Sequence, residues 1–249
     1  MFHLLLVLAL AGLAVAFRKL TPMGGLAGAV VAGALYWGLG YPGLALLGAF
    51  FVLGTLATSY RKQWKEGAGL RDNVQGRKAV QVWSNGGVAA LCSLLSFWYA
   101  PYAPRDGVDM LTGRETGDAW LVFRLMAAAA LSSATADTLA SELGNVWGRR
   151  YINIRTLRPD SRGVDGAISL EGTLAGLAGS AIIALLYFYG VERNAESAGI
   201  LVLAGTFGNL ADSWLGATLQ RRGFLTNDAV NALNTLLAAI LVLLLGLLL

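Results

Sequence analysis

Asp137, in the run Ala136-Asp137-Thr138, and Asp212, in Ala211-Asp212-Ser213, are carboxylates at the ends of long apolar stretches. Asn227, Asp228, Asn231 and Asn234 crowd the start of another. A charged group is costly in lipid, so such residues face a bundle interior or a wet cavity and mark a functional site by default. Carboxylates repel a polyphosphate directly, but they hold Mg²⁺, which bridges phosphate oxygens. Arginines and lysines then neutralise the charge that develops during transfer. These residue types point to phosphoryl transfer, with Asp137 and Asp212 as the metal ligands.

Composition removes the competing chemistries. The single histidine, His3, and the single cysteine, Cys92, exclude a His-ligated metal, a Ser-His-Asp triad and a disulfide framework. The 249 residues are 56% hydrophobic and 14% charged, against about 25% charged in soluble domains. An all-α, polytopic integral membrane helix bundle is expected, with residues 1–249 as a single transmembrane domain and no nucleic-acid partner.

The elements that must position these residues are apolar stretches long enough to cross a bilayer. They fall at 2–17, 23–40, 42–60, 80–100, 119–140, 172–190, 198–219 and 228–249, which predicts eight spans. No Lys or Arg precedes the first stretch and Arg18-Lys19 follow it, the reverse of a cleavable signal, so it reads as a retained span. With alternating topology, fifteen Lys and Arg gather on one side and three (Arg105, Arg114 and Arg193) on the other. Positive charge marks the cytoplasmic side. In a cell inner membrane both termini then lie outside, and the loops 61–79 and 141–171 lie in the cytoplasm with the active site. The outer loop around 101–117 suggests no function.

Helical periodicity gathers the polar residues into stripes at that surface. Arg77, Gln81 and Asn85 share one face, and Asn227, Asn231 and Asn234 another. Asn209, Asp212 and Ser213 form a third, and Asp137, Ser141 and Asn145 a fourth. Glu142 points some 140° away from Asp137, at about 100° per residue. Plainer readings exist: asparagines tie membrane helices together, and Asp228 has the setting of a helix cap. Arg149 and its neighbours double as topology determinants. Thr21-Pro22-Met23-Gly24-Gly25 and Ser169-Leu170-Glu171-Gly172-Thr173 each open a span, where free N–H groups and the helix dipole favour an anion.

An internal repeat is also predicted. Gly54-Thr55-Leu56-Ala57-Thr58-Ser59 resembles Gly208-Asn209-Leu210-Ala211-Asp212-Ser213, Leu26-Ala27-Gly28 resembles Leu174-Ala175-Gly176, and Ala79-Val80-Gln81 resembles Ala229-Val230-Asn231. The offsets are 154, 148 and 150 residues. Spans 2–4 and 6–8 therefore read as parallel copies of a three-helix unit, an arrangement also found in transporters.

Five segments carry a family resemblance. They are Gly76-Arg77-Lys78-Ala79-Val80-Gln81-Val82-Trp83-Ser84-Asn85, Ala136-Asp137-Thr138-Leu139-Ala140-Ser141-Glu142, Gly166-Ala167-Ile168-Ser169-Leu170-Glu171-Gly172-Thr173, Gly208-Asn209-Leu210-Ala211-Asp212-Ser213-Trp214 and Thr226-Asn227-Asp228-Ala229-Val230-Asn231. In their order the chain resembles the transmembrane-protein-19-like family that includes plant phytyl-phosphate kinase, and more distantly the CTP-dependent polyprenol and phytol kinases. The resemblance implies an Mg²⁺-dependent transferase of isoprenoid metabolism. It would phosphorylate an isoprenyl monophosphate such as phytyl or geranylgeranyl phosphate, with CTP or ATP as donor. On that reading Asp137, Asp212, Glu142 and Arg77 are the catalytic candidates. Lys78, Gln81, Asn85, Ser141, Arg149, Glu171, Gly172, Thr173, Asn209, Asn227, Asp228, Asn231 and Asn234 are the substrate- and nucleotide-binding candidates. A secondary transporter would use the same repeat and carboxylates, and a lipid nucleotidyltransferase the same metal and nucleotide.

Overall fold

The computed structural model describes residues 2–70, 76–100 and 119–246. The expected outer loop 101–117, with Arg105 and Arg114, lies outside the described residues, as does Arg71. The helices are α1 (Phe2–Ala16), α2 (Pro22–Leu39), α3 (Tyr41–Ser59), α4 (Lys62–Gly67), α5 (Ala79–Tyr99), α6 (Ala119–Trp147), α7 (Leu170–Gly190), α8 (Ala195–Leu215) and α9 (Asn227–Gly246). A π-helical turn, Gly216–Gln220, prolongs α8. The loop between α6 and α7 carries a two-residue antiparallel ladder, β1 (Ile152–Asn153) with β2 (Ala167–Ile168), Ile152 opposite Ile168.

Local chemistry sets the helix starts. Pro22 takes the first turn of α2, where its missing N–H costs nothing, and the Thr21 hydroxyl accepts from the Gly24 N–H at 3.1 Å. Ser169 caps α7 in the same way, accepting from the Gly172 N–H at 3.1 Å. Asn194 caps α8 by accepting from the N–H groups of Glu196 and Ser197. Gly40, at φ 68°, turns the chain between α2 and α3.

The helix α6 is the axis of the molecule. It packs against α3, α5, α7, α8 and α9, and every residue from Met126 to Ala136 is buried. A helix enclosed all round need not be apolar toward lipid. That is why α6 tolerates Ser132, Ser133 and Thr135 in its middle. Small residues bring its neighbours close: a Cβ on Gly172 would stand 3.1 Å from the Gly144 Cα, and a Cβ on Gly208 would strike the Ser133 hydroxyl.

Among the described residues, five helices, α2, α3, α5, α7 and α9, are long and apolar enough to cross a membrane. Helix α1 is apolar but shorter. Helices α6 and α8 fall short in composition, because α6 carries Arg124, Asp137 and Glu142, and α8 carries Glu196, Asn209 and Asp212. The chain is an all-α integral membrane protein. Helix α6 runs seven residues past its expected end at 140, through Ser141-Glu142-Leu143. The three-helix units pair differently: α2 packs on both α3 and α5, whereas in the other unit α8 packs on both α7 and α9.

Candidate active site

A cavity of about 600 Å³ opens at the end of the bundle where α3, α6 and α8 finish and α5, α7 and α9 begin. It brings together Arg77, Gln81 and Asn85 of the α5 stripe, Asp137, Ser141 and Glu142 of α6, and Gly172 and Thr173 of α7. Asn209 and Asp212 of α8 line it as well, with Asn227 and Asn231 of α9. The segments matched by the repeat meet here too: Thr55, Thr58 and Ser59 of α3 share the lining with Asn209, Asp212 and Ser213.

The carboxyls of Asp137 and Asp212 lie beside one another across the α6–α8 contact, and both line the cavity. Two ionised carboxylates touch only with a cation or a proton between them. Asp212 is held further: its Oδ1 accepts from Asn234 Nδ2 at 2.7 Å, and Asn234 Oδ1 accepts from Ser133 Oγ at 3.0 Å. Among the described residues no group of three or more His, Cys, Asp or Glu is arranged to hold a metal. The donor set is therefore two carboxylates with space beside them. That suits Mg²⁺, which retains waters and takes its remaining ligands from substrate phosphates.

Glu142 and Asp137 line the same cavity despite their angular separation, because the cavity wraps around the end of α6. Glu142 Oε2 accepts from Lys65 Nζ at 2.5 Å, and Lys65 also donates to the Ala57 carbonyl at 2.8 Å. The Lys65 side chain is 1% exposed.

Arg77 reaches in from the segment before α5. Its N–H donates to the Lys19 carbonyl at 3.0 Å, and its own carbonyl accepts from the Thr21 N–H at 3.1 Å. The guanidinium lies 5.5 Å from the Phe50 ring centre and 6.0 Å from that of Phe51. Gly54 makes room for it, since a Cβ there would sit 2.7 Å from Arg77 Nη2.

The loop between α6 and α7 contributes Tyr151 and the stretch from Gly163 to Ser169 to the lining. Arg221 ties it down, donating from Nη2 to Asp160 Oδ2 and from Nε to the Asp165 carbonyl, both at 2.5 Å. The Arg221 hydrogen bond, with those from Asn153 and the Ser161 N–H, lowers the Asp160 pKa to about 2. Arg162 donates to the Gly148 carbonyl at 2.8 Å and lies over the rings of Trp64 and Tyr151, which links this loop to α4.

Five expected site residues do not line the cavity. Asn234 is fully buried behind Asp212, so it supports a carboxylate instead of meeting a ligand. The Lys78 side chain is exposed, while its N–H donates to Gln81 Oε1 at 2.9 Å. Arg149 is exposed, and its N–H donates to Glu171 Oε2 at 3.4 Å, which turns Glu171 away from the cavity. Asp228 sits in the first turn of α9, where the Thr226 hydroxyl, accepting from the Ala229 N–H at 3.2 Å, is the cap. The glycine-containing start of α2 is also outside, with Gly24 packed on the Arg77 carbonyl.

Other lining residues were not expected. Arg18 and Lys19 enter on the turn after α1, and Lys19 Nζ donates to Ser59 Oγ at 3.2 Å. Asp165 lies within electrostatic range of Asp212. Its signal was available: Asp160 and Asp165 are acidic in a loop otherwise rich in arginine. Lys65 carried no such signal, being one lysine of a basic loop.

Among known proteins, the profile of the family described as integral membrane protein DUF92 matches residues 5–239. An uncharacterized membrane protein of Synechocystis is 36% identical over 231 residues, 91% of this chain and 83% of that protein. Protein VTE6, chloroplastic, of Arabidopsis thaliana is 32% identical over 225 residues, 88% of this chain and 63% of that protein. An uncharacterized membrane protein of Methanocaldococcus jannaschii is 30% identical over 209 residues, 81% of this chain and 75% of that protein. No solved structure matches the chain.

Proposed function

The chain belongs to the DUF92 family of integral membrane proteins, and from that premise we propose that it is a membrane-embedded kinase of isoprenyl monophosphates. The donor is a nucleoside triphosphate, CTP or ATP, and the product is the isoprenyl diphosphate. The observation that carries this reading is the neighbouring pair Asp137 and Asp212, lining one cavity together with Arg77, Arg18 and Lys19. The resemblance to the family that includes plant phytyl-phosphate kinase supplies the substrate class.

In the proposed reaction an oxygen of the lipid monophosphate forms a bond to the γ-phosphorus of the donor. The bond from that phosphorus to the β,γ-bridging oxygen breaks, and its electron pair leaves with the nucleoside diphosphate. The acceptor is already ionised, so the step needs no strong base. Asp137 and Asp212 would hold Mg²⁺, which supplies charge neutralisation at the donor phosphates. Arg77 neutralises equatorial oxygens from the other side. Glu142, fixed by Lys65, borders the same space, and the amides of Gln81, Asn85, Asn209, Asn227 and Asn231 offer donors and acceptors to the nucleotide.

The membrane arrangement that fits this reading has eight spans, with α6 and α8 shielded by their neighbours and both termini outside. The cavity then faces the cytoplasm, where nucleotide is available. The shared lining by Thr58 and Asp212 supports common descent of the two three-helix units, with different packing acquired since. A transport path has less support: from Met126 to Leu131, α6 is buried among apolar neighbours beyond the cavity. The test is product identification by mass spectrometry after purified protein is incubated with a panel of prenyl phosphates and nucleotides. Diphosphate formation with release of nucleoside diphosphate is expected. Release of pyrophosphate would mark a nucleotidyltransferase, and absence of any transfer would end the kinase reading.

A further inference from the structure

The cavity is divided by charge. Asp137, Asp212 and Asp165 come from α6, α8 and the loop before α7, while Glu142 of α6 lies between them and Arg77, within electrostatic range of its guanidinium. Arg18, Lys19 and Arg77 lie on the side formed by the turn after α1 and the segment before α5. The two sides suit different phosphates. A metal-bound polyphosphate belongs with carboxylates, whereas a phosphate without a metal needs direct cationic hydrogen bonds.

Arg77 is the centre of the cationic side. Its guanidinium is lodged between α3 and α6, and among the described residues no carboxylate forms an ion pair with it. The faces of Phe50 and Phe51 flank it, and Glu142 lies within electrostatic range. A guanidinium held by rings and a glycine gap at the cavity lining is suited to receive an anion. The backbone pairing of Leu20 with Arg77 fixes it beside the turn that presents Arg18 and Lys19.

This side also adjoins lipid. Helix α1 packs chiefly on α2, and Leu4, Leu5, Leu8, Leu10 and Leu13 along it are exposed, so its outer flank is open to acyl chains. Phe17, at the end of that flank, is 72% exposed and lines the cavity next to Arg18, with Phe50 below Arg77. Exposed Phe17 gives the cavity an apolar edge beside Arg18. The carboxylates are bordered instead by the loop between α6 and α7.

Resting on the kinase reading, we propose that Arg77, Arg18 and Lys19 form a metal-free subsite for the monophosphate head of the acceptor lipid, whose chain leaves past Phe17 and Phe50. The donor nucleotide with its metal occupies the carboxylate side. The ligand class is a phosphate monoester on a long apolar chain, in contrast to free phosphate.

The full chain in detergent is titrated with geranylgeranyl phosphate, with inorganic phosphate, and with CTP plus Mg²⁺, following melting temperature and, where turnover is present, KM. Arg18→Gln, Lys19→Gln and Arg77→Gln should each weaken the lipid phosphate about tenfold, as loss of a charge-assisted hydrogen bond implies. Nucleotide binding should change less than about twofold. Arg77→Lys should recover part of the lipid affinity. Arg18 and Lys19 are exposed, so their variants keep the fold even if Arg77→Gln does not. Weakened nucleotide with unaltered lipid phosphate would overturn the assignment, as would inorganic phosphate binding as tightly as the lipid. The kinase reading fails separately: lipid phosphate bound in this Arg- and Lys-dependent way without transfer leaves the subsite standing and removes the kinase.

Discussion

Asn234 of α9 donates to Asp212 Oδ1 of α8 at 2.7 Å, while its own carbonyl accepts from Ser133 of α6 at 3.0 Å. One buried amide thus joins the three helices behind the carboxylate pair and fixes which Asp212 oxygen remains for Asp137 and the cavity. Gly208 permits it, because a side chain there would collide with Ser133 and approach the backbone carbonyl of Asn234 to 3.0 Å. The orientation of Asp212 is therefore set by residues that never meet a ligand.

Replacing Asn234 by leucine should lower kcat about 10- to 100-fold and raise the Mg²⁺ concentration needed for half activity, as loss of an outer support for a metal ligand does. The KM for lipid phosphate should hardly move, since Asn234 is buried away from it. Ser133→Ala should act in the same direction and more weakly. Kinetics over a Mg²⁺ series decide this. An Asn234→Leu enzyme with ordinary Mg²⁺ dependence would mean that Asp212 needs no such support.

Lys65 and Glu142 form the other buried tie. Removing one partner of such a pair strands a charge and costs about 3 kcal/mol or more, while removing both is far milder. Glu142 keeps some solvent contact at 25% exposure, which places its own variant at the low end. Lys65→Met should therefore melt well below the wild type, and the double variant Lys65→Met/Glu142→Gln should regain most of the loss. A double variant no better than Lys65→Met would show that the lysine acts through the Ala57 carbonyl instead.

The sequence disclosed the apolar stretches, the polar stripes and the end of the bundle where they gather, because lipid imposes a strict composition on whatever it touches. What it concealed depends on enclosure. Helix α6 carries Arg124, five hydroxyl residues and two carboxylates, and periodicity alone says nothing of its position at the centre of five neighbours. Asn234 and Asn231 are alike as residues in one stripe, yet Asn231 lines the cavity and Asn234 holds Asp212 behind it. Lys65 looked like a topology charge until α4 folded it against Glu142. In each case a contact between distant segments decides the role, and no local pattern encodes that contact.

The loop beside the cavity should loosen in acid. Asp160 titrates at about 2 because Arg221, then Asn153 and the Ser161 N–H, stabilise its charged form. An unpaired aspartate titrates near 3.9. The folded value is the lower one, so the contribution is fully present above about pH 4 and is lost as pH falls toward 2. Hydrogen exchange or proteolysis of residues 148–169 should accelerate across that range. Asp160→Asn and Arg221→Gln should give the loosened loop at neutral pH and flatten the pH response. A loop equally protected in the variants would show that the ladder of β1 and β2 holds it alone.

Asp137 and Asp212 should reveal a conflict between stability and function. Two neighbouring carboxylates inside the bundle repel unless something positive lies between them. Asp137→Asn or Asp212→Asn removes that repulsion while keeping shape and one hydrogen-bond acceptor. Each variant should therefore melt at or above the wild-type temperature when Mg²⁺ is absent. Wild type should gain stability on adding Mg²⁺, since a cation bound only by the folded state shifts unfolding by mass action. The variants should lose that gain, along with turnover. Melting curves with and without Mg²⁺ test the idea without any assumption about substrate. If both variants keep the full Mg²⁺ response, the pair is a structural contact and the metal lies elsewhere. If both melt far below the wild type, the carboxyl pair is instead a proton-sharing hydrogen bond that the fold depends on.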